Sequence, residues 1–358
     1  MSRSHDHGGT VFATARRLGV PLSSLTDFSA SINPLGLSPL VRKAIDGALD
    51  SLVHYPDAGH ADLKEALAHY HGLPPDRFVV ANGSTELIYQ LPALLPGRRA
   101  LLAAPCFSEY ERALERHQWE VHHLLLPPED GFPLDLDRLK AGLAEGYDAF
   151  YLCNPANPGG TLYPPHLVEQ VVELCSAAGT FLVLDEAFMD FCEEASAKHA
   201  IAHGGNALVL RSMTKFFGIP GLRLGYAVAN GQVCRRIEAR GVPWNVNTLA
   251  LAAGAAALHD REHNRQTLLL IDRERRFLAD RLAGFPGLRV YPSAANFLLV
   301  EILGPMTAGE LAQRLLAERV IIRDCATFNG LTPHFFRVAV RTRAENERLI
   351  ACLGNILH

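Results

Sequence analysis

Two hydroxyl side chains and an amine stand close together in the chain, at Ser212, Thr214 and Lys215. They follow an apolar run at residues 207–210, which we expect to be a buried strand that places the lysine at the edge of a sheet. A lysine that is partly withdrawn from water beside other cations has a lowered pKa and can form a Schiff base. The hydroxyls and Arg223 can hold a phosphate. Together these groups suit pyridoxal phosphate (PLP), and the alternative is a solvated lysine after an ordinary strand.

The use of lysine supports the first of these interpretations. The chain has five lysines, and Lys43, Lys64, Lys140 and Lys198 all stand in polar, helix-like contexts. We expect those four to lie on solvated helix faces. Lys215 alone lies between hydrophobic segments, with glycine and proline close behind it.

A pair of carboxylates, Asp185 and Glu186, ends a strongly apolar run at residues 180–184. Ligands of open α/β sheets bind at the carboxyl ends of the strands. A buried aspartate there needs a cationic partner, and a pyridinium nitrogen would serve. The alternative is an acidic metal-binding pair, but no suitably spaced histidine accompanies it, so we predict no metal.

A glycine and two hydroxyl residues, Gly83, Ser84 and Thr85, lie between an expected strand at 78–81 and an expected helix at 87–95. Free N–H groups and hydroxyls at a helix N-terminus point at an anion. The same three residues would also serve as an ordinary helix N-cap.

Two loop residues, Phe107 and Asn157, are further candidates for contact with a flat ligand. Asn157 lies in a proline-rich loop at 154–160, where the prolines stop strand pairing and stiffen the loop. Asn157 is therefore available to a ligand. Phe107 can stack on a flat cofactor, or it can simply pack its loop.

The alternation of elements predicts the fold class. Strands and helices alternate from about residue 78 to residue 228, which indicates an α/β fold with a mostly parallel, doubly wound sheet. A smaller α+β domain follows, with a strand expected at 320–323. We therefore divide the chain into an N-terminal arm (1–36), a large domain (37–250) and a small C-terminal domain (251–358). Helices are expected at 11–18, 40–49, 62–71, 87–95, 111–117, 136–143, 165–178, 251–258, 264–282, 308–317 and 344–356.

Composition excludes several classes of function. The chain has 358 residues, 48% of them hydrophobic, and a formal net charge of -4. No basic run indicates a nucleic-acid partner, and no apolar stretch is long enough to span a membrane. The seven cysteines include no C-x-x-C pair, and the N-terminus shows no signal-peptide pattern. We therefore expect reduced thiols and a cytoplasmic protein.

Taken together and in order, the motifs resemble those of the fold-type I PLP enzymes of the aspartate aminotransferase superfamily. Within it, the chain is most similar to the L-threonine-O-3-phosphate decarboxylases of cobalamin biosynthesis, which are close to the histidinol-phosphate aminotransferases. The resemblance covers nearly the whole chain. The segments that favour the decarboxylases are residues 7–9, 27–36, 243–247, 322–325 and 336–341.

The resemblance implies a role for each matching residue. Lys215 would be the Schiff-base lysine, Asp185 the partner of the ring nitrogen, Asn157 the contact of the ring hydroxyl and Phe107 the stacking residue. The residues implied to surround the cofactor phosphate are Gly83, Ser84, Thr85, Ser212, Thr214 and Arg223, with Tyr55 from the second subunit of a homodimer. Those implied to bind substrate are Arg337 at its carboxylate, His7, Gly8 and Arg323 at its phosphate, and Ser31, Asn33 and Asn157. Two positions depart from related enzymes: Phe188 replaces a tyrosine usual in the aminotransferases, and Ser31 replaces an asparagine common in the decarboxylases.

The implied reaction is decarboxylation of a phosphorylated amino acid, L-threonine O-3-phosphate, to (R)-1-amino-2-propanol O-2-phosphate and carbon dioxide. The main alternative is an aminotransferase of the histidinol-phosphate type, which uses the same cofactor but breaks a different bond. A second alternative, from another class, is a catalytically silent regulator with a PLP-enzyme fold. The intact set of lysine, aspartate and arginine argues against this regulator.

Overall fold

The structure, a computed structural model, describes residues 8–357. In that part of the chain the strands are β1 (Thr26–Asp27), β2 (Phe78–Ala81), β3 (Arg99–Ala104), β4 (Glu120–Leu125), β5 (Ala149–Cys153), β6 (Phe181–Asp185), β7 (Ala207–Ser212), β8 (Gly225–Ala229), β9 (Leu288–Val290), β10 (Phe297–Ile302), β11 (Val320–Ile321), β12 (Arg323–Asp324) and β13 (Phe335–Ala339). The α-helices are α1 (Val11–Leu18), α2 (Pro39–Ala48), α3 (Ala61–His71), α4 (Ser84–Leu94), α5 (Glu109–Arg116), α6 (Leu136–Leu143), α7 (Pro165–Ala178), α8 (Lys198–His203), α9 (Gly231–Glu238), α10 (Thr248–His259), α11 (Arg261–Ala283), α12 (Ala308–Ala317) and α13 (Arg343–Leu357).

The larger of the two main sheets has seven strands in the order β2-β8-β7-β6-β5-β3-β4. Strands β3 to β7 pair in parallel, whereas β8 runs antiparallel to both of its neighbours. The predicted α/β class with a mostly parallel sheet is therefore confirmed. The carboxyl ends of β5, β6 and β7 meet at one edge, which is where Asp185 and Ser212 lie.

Both faces of this sheet are covered, which explains why its strands are nearly continuous apolar runs. Along β7, Leu208 and Leu210 pack into one hydrophobic core, whereas Val209 packs into the other. A strand in this position is buried along its whole length, and each residue of β7 is indeed buried. The residues that follow β7 are consequently held on a rigid support.

The smaller sheet is antiparallel, in the order β12-β13-β10-β9. One face packs on helices α11, α12 and α13 around a separate core that includes Leu278, Leu311 and Leu349. Helix α12 begins with a capping box, because the Thr307 hydroxyl accepts from the N–H of Glu310 while the Glu310 side chain accepts from the N–H of Thr307. This sheet carries the two arginines that the sequence predicts at the substrate.

The N-terminal segment connects the two units. Strand β1 pairs in parallel with β11, and Phe28 is buried in the core of the smaller unit. A few residues later the backbone N–H of Asn33 donates to the carbonyl of Lys215 over 3.0 Å. The segment thus runs from the small sheet to the lysine of the large one.

Helix α10 crosses the predicted division at residue 250. It packs against α2 and α3 of the larger unit, and Gly254 allows the close approach to α3 because a Cβ there would lie 3.1 Å from Leu63. The three-part division of the chain stays a prediction.

Three local features differ from the sequence-based expectation. Helices α8 and α9 were not predicted, and the expected strand at 320–323 is divided at Ile322 between two sheets. The prediction that Lys198 lies on a solvated face is wrong: its side chain is buried, and Nζ donates to Glu193 Oε1 over 2.5 Å. Residues 8–357 contain no helix that is both long and apolar enough to cross a membrane.

Candidate active site

A cavity of about 610 Å³ opens at the carboxyl ends of β5, β6 and β7. It brings together most of the side chains that the sequence singles out. The predicted site residues that line it are Gly8, Ser31, Ser84, Thr85, Phe107, Asn157, Asp185, Ser212, Thr214, Lys215, Arg223, Arg323 and Arg337. Residues far apart in sequence therefore converge on one space.

Lys215 lies in the turn after β7 and projects into this cavity. Its Nζ donates to Thr214 Oγ1 over 2.8 Å and lies 5.8 Å from the ring centre of Phe188. Burial, assisted by the positive charge of Arg223, lowers the pKa of Lys215 to about 8. About a tenth of this amine is therefore uncharged at pH 7, far more than in an ordinary lysine, and the uncharged form is the nucleophile.

Hydroxyls, backbone N–H groups and a guanidinium form a small anion cradle beside Lys215. Ser212 Oγ and Thr214 Oγ1 lie 2.8 Å apart, and Ser84 and Thr85 begin helix α4. Arg223 completes the cradle, its Nη1 donating to the carbonyl of Pro220 over 2.9 Å. The free N–H groups and dipole at the N-terminus of α4 add to the attraction for an anion.

Glycines permit this close arrangement. Gly83 has φ +79°, and a Cβ there would lie 2.8 Å from Arg223 Nη2. At Gly225 a Cβ would lie 2.3 Å from the backbone nitrogen of Ser84. Any side chain at either position would push the guanidinium or the helix terminus away, so the cradle depends on both glycines.

Asp185 is buried at the end of β6, where two donors hold its carboxylate. The N–H of Ala187 donates to Oδ1 over 2.9 Å, and the hydroxyl of Tyr110 donates to Oδ2. Burial raises the pKa of Asp185, and the hydrogen bond from Tyr110 opposes that rise. A carboxylate in such a site is stabilised by a cation placed against it.

Sequence reasoning missed Tyr110. The residue stands in the first turn of α5, seventy-five positions before Asp185, and only the packing of α5 on the sheet brings them together. The available signal was a tyrosine three positions after the candidate Phe107. The rings of Phe107 and Tyr110 meet edge to face at 5.7 Å.

The wall opposite Asp185 carries two arginines. Arg337 on β13 lies directly across from Arg323 on β12, and both side chains are buried. Nη1 of Arg337 donates to Asn157 Oδ1, and its Nη2 donates to the Ser29 carbonyl over 3.3 Å. Within residues 8–357 its Nε has no hydrogen-bond partner, although the atom is buried. Arg323 is only 7% exposed, so its side chain does not lie on the protein surface.

The N-terminal segment closes one side of the cavity. Gly8 lies so close to Ser29 that a Cβ would be 2.1 Å from its carbonyl oxygen, and the N–H of Gly9 donates to Ser29 Oγ over 2.9 Å. Ser31 also lines the cavity, and its buried hydroxyl has no partner within the described residues. His7 lies outside the described residues.

Three predicted residues are placed differently. The Asn33 amide is engaged elsewhere, with Nδ2 donating to Phe216 O and Thr267 Oγ1 at 2.8 Å each, so the structure does not bring it to the cavity. Gly83 lies behind the cradle. Tyr55 is 80% exposed and stacks on Trp244 at 4.7 Å, and in a single chain it is not among the residues that line the cavity.

A family model described as aminotransferase class I and II matches residues 23–353. The chain belongs to the aminotransferase class I and II family. The threonine-phosphate decarboxylase of Salmonella typhimurium is 39% identical over 353 residues, which cover 98% of this chain and 96% of that protein. The predicted resemblance is thereby confirmed.

Solved structures of this aminotransferase family have the same fold. The histidinol-phosphate aminotransferase from Clostridium acetobutylicum has a TM-score of 0.86 at 29% identity, covering 92% of this chain and 98% of that one. The L-threonine-O-3-phosphate decarboxylase from Porphyromonas gingivalis has a TM-score of 0.81 at 29% identity, with the same coverage of 92% and 98%. Because two differently named enzymes share this backbone, the fold alone does not decide the reaction.

A buried ionic cluster lies behind the site and was also missed from sequence. Arg211 on β7 is fully buried, and its guanidinium binds Glu186, Asp190 and Glu193. Glu193 in turn accepts from Lys198. These five charged groups are stable where water is largely excluded only when each is paired, so this cluster fixes the loop that follows Asp185.

Proposed function

We propose that this member of the aminotransferase class I and II family decarboxylates L-threonine O-3-phosphate to (R)-1-amino-2-propanol O-2-phosphate and carbon dioxide. One observation carries the proposal. The cavity has an excess of positive charge, and its cations fall into two groups: Lys215 and Arg223 at the cradle, and Arg323 and Arg337 on the opposite wall. A cofactor phosphate and a substrate with two separate anions would satisfy both groups.

The residues present fit PLP as the cofactor. The cradle at Ser84, Thr85, Ser212, Thr214 and Arg223 would hold its phosphate, and the glycines described above leave the necessary space. Asp185 would pair with the ring nitrogen, Asn157 with the ring hydroxyl, and Phe107 with the ring face. Lys215 would attach it covalently. PLP, when bound, supplies an electron sink for the bond that breaks at the substrate Cα.

The chain's own residues then perform the remaining tasks. Arg337 would bind the substrate carboxylate, because its buried Nε still lacks a partner within residues 8–357. Arg323 would bind the substrate phosphate, with Gly8 closing over it. Lys215 Nζ, with a pKa lowered to about 8, can deliver a proton to Cα after carbon dioxide leaves. The negative charge of Asp185 would stabilise a positive charge on the ring nitrogen.

The alternative reaction is transamination of the histidinol-phosphate type. It is suggested by the likeness to the Clostridium acetobutylicum structure. Histidinol phosphate carries a phosphate but no carboxylate, so it would engage one wall arginine and leave the other without an anion. Threonine phosphate carries both anions and engages both arginines at once. This difference, together with the identity to the Salmonella typhimurium decarboxylase, favours decarboxylation.

A turnover assay with two readouts tests the proposal. The PLP-loaded protein is incubated with 2-oxoglutarate and, in separate reactions, with L-threonine O-3-phosphate or histidinol phosphate, and carbon dioxide and glutamate are both measured. Carbon dioxide should be released in step with aminopropanol phosphate, without glutamate. Glutamate formation would instead identify an aminotransferase, and a protein that shows PLP absorption but no turnover of either kind would fit the silent regulator.

The assembly and location are part of the proposal. Tyr55 stacks on the exposed Trp244 and follows the exposed apolar residues Leu49, Leu52 and Val53 in the chain, which supports a homodimer that shares its active sites. The seven cysteines are all free thiols, which supports a reducing cytoplasmic compartment. The product would enter the aminopropanol branch of cobalamin biosynthesis, as the resemblance implies.

A further inference from the structure

The side chain of Tyr110 contacts two candidate cofactor residues at once. Its hydroxyl donates to Asp185 Oδ2, and its ring packs edge to face against Phe107, 5.7 Å between centres. Asp185 and Phe107 are the residues expected at the edge and at the face of one flat ring. Tyr110 is therefore placed to set the position of both relative to each other.

The environment of Tyr110 makes it rigid. The residue is 1% exposed, and its other face packs on Tyr151, with 5.5 Å between ring centres and a tilt of 34°. Helix α5 supports it from its first turn. A side chain confined in this way holds its hydroxyl in one place, so the bond to Asp185 does not depend on ligand.

Each carboxylate oxygen of Asp185 accepts one hydrogen bond. Ala187 N–H occupies Oδ1 from the backbone, and Tyr110 occupies Oδ2 from the side. Both bonds favour the ionised carboxylate over the acid. In a buried site the carboxylate would otherwise take up a proton, and a neutral acid would no longer hold a positive charge on a neighbouring ring nitrogen.

We propose that Tyr110 is a positioning residue that keeps Asp185 ionised and oriented toward the ring nitrogen of PLP. The inference rests on the proposed function for the presence of PLP, but not on which bond of the substrate breaks. It concerns a residue that acts through Asp185 and does not line the cavity with the other site residues.

The structure offers a matched control. Tyr151 is a second buried tyrosine of the same cluster, and its hydroxyl has no hydrogen-bond partner within residues 8–357. Tyr110→Phe and Tyr151→Phe each remove one buried hydroxyl and keep the ring contacts. They differ in that only the first removes a bond to Asp185.

The experiment loads both variants and the parent with PLP labelled with ¹⁵N in the ring, and it records the ¹⁵N chemical shift of the bound cofactor. In the parent and in Tyr151→Phe the shift should be that of a protonated ring nitrogen. In Tyr110→Phe it should move toward the unprotonated value. The kcat for threonine phosphate should fall about tenfold to a hundredfold, as expected for losing a hydrogen bond to a charged group, while KM changes less than about twofold.

A double variant separates positioning from a general loss of structure. If Tyr110 acts through Asp185, adding Tyr110→Phe to Asp185→Asn should lower kcat no further than Asp185→Asn alone. The inference is overturned if Tyr110→Phe has the ¹⁵N shift and kcat of Tyr151→Phe, or if the two losses in the double variant multiply. A protein that binds no PLP would overturn the proposed function as well, so the two failures are distinguishable.

Discussion

Arg323 and Arg337 face each other directly across the antiparallel pair β12 and β13, and both line the cavity that contains Lys215. Like charges at directly opposed positions of a sheet destabilise it. An anion bound between or beside the two guanidinium groups offsets this repulsion. A substrate with a carboxylate and a phosphate would supply such anions.

Replacing Arg323 should therefore impair binding of the phosphorylated substrate. In Arg323→Ala the KM for threonine phosphate should rise about tenfold to a hundredfold, because charge-assisted hydrogen bonds to the phosphate are lost. Unphosphorylated threonine, a poor substrate for the parent, should be affected little. Steady-state kinetics with both compounds make the measurement, and Arg314→Ala, on an exposed face of α12, is the control. An equal loss with threonine would refute the assignment of Arg323 to the phosphate.

The reactivity of Lys215 should depend on pH in a defined direction. Its pKa is lowered to about 8, chiefly by burial, and only the uncharged amine can attack. The rate at which the PLP-free protein captures added PLP should therefore rise as the pH increases through about 8. Stopped-flow absorbance would record it, and a rate that is constant across this range would contradict the assignment.

The same lysine should be the point of covalent attachment. Lys215→Ala should lose the cofactor link that borohydride reduces and nearly all activity. Lys43→Ala, on an exposed position of α2, should keep both. Mass spectrometry of the reduced proteins identifies the modified residue, and a link retained in Lys215→Ala would show that another lysine is used.

The buried cluster around Arg211 should dominate local stability. Arg211→Met leaves Glu186, Asp190 and Glu193 without their guanidinium partner, and the expected loss is about 3–5 kcal/mol of unfolding free energy. Arg265→Met breaks an exposed pair with Glu262 and should leave the unfolding midpoint unchanged. Urea unfolding followed by fluorescence compares them. Similar midpoints for both variants would show that the cluster contributes no net stability.

Mixing two inactive variants tests whether Tyr55 acts across a dimer. Tyr55→Ala and Lys215→Ala should each have low activity on their own. If Tyr55 of one subunit completes the site of the other, mixed dimers contain one intact site, and activity should return to about a quarter of the parent's on random mixing by the symmetry of a two-fold dimer. Refolding the two together and assaying carbon dioxide release makes the measurement. No recovery in a verified mixed dimer would place Tyr55 outside the partner's site.

Local sequence signals determined the fold and much of the site. Helices α1, α6, α7 and α12 have the boundaries predicted from their periodic apolar residues, because amphipathic spacing and terminating residues act over a few positions. The sequence also placed Asp185 at the end of a buried strand and Lys215 just after one, and the structure has both there. The order of the motifs was sufficient to predict the family.

Only the tertiary structure decided which side chains support those residues. Tyr110 meets Asp185, and Arg211 meets Glu193, through packing between elements distant in sequence, and no local pattern records such contacts. Lys198 stands in a polar sequence, yet its side chain is buried. The acidic partner Glu193 makes this possible because it neutralises the amine. Asn33 resembles a ligand residue, but its amide holds the backbone after Lys215. The physical reason is the same in each case: hydrogen bonds and desolvation depend on neighbours in space, whereas periodicity depends on neighbours along the chain.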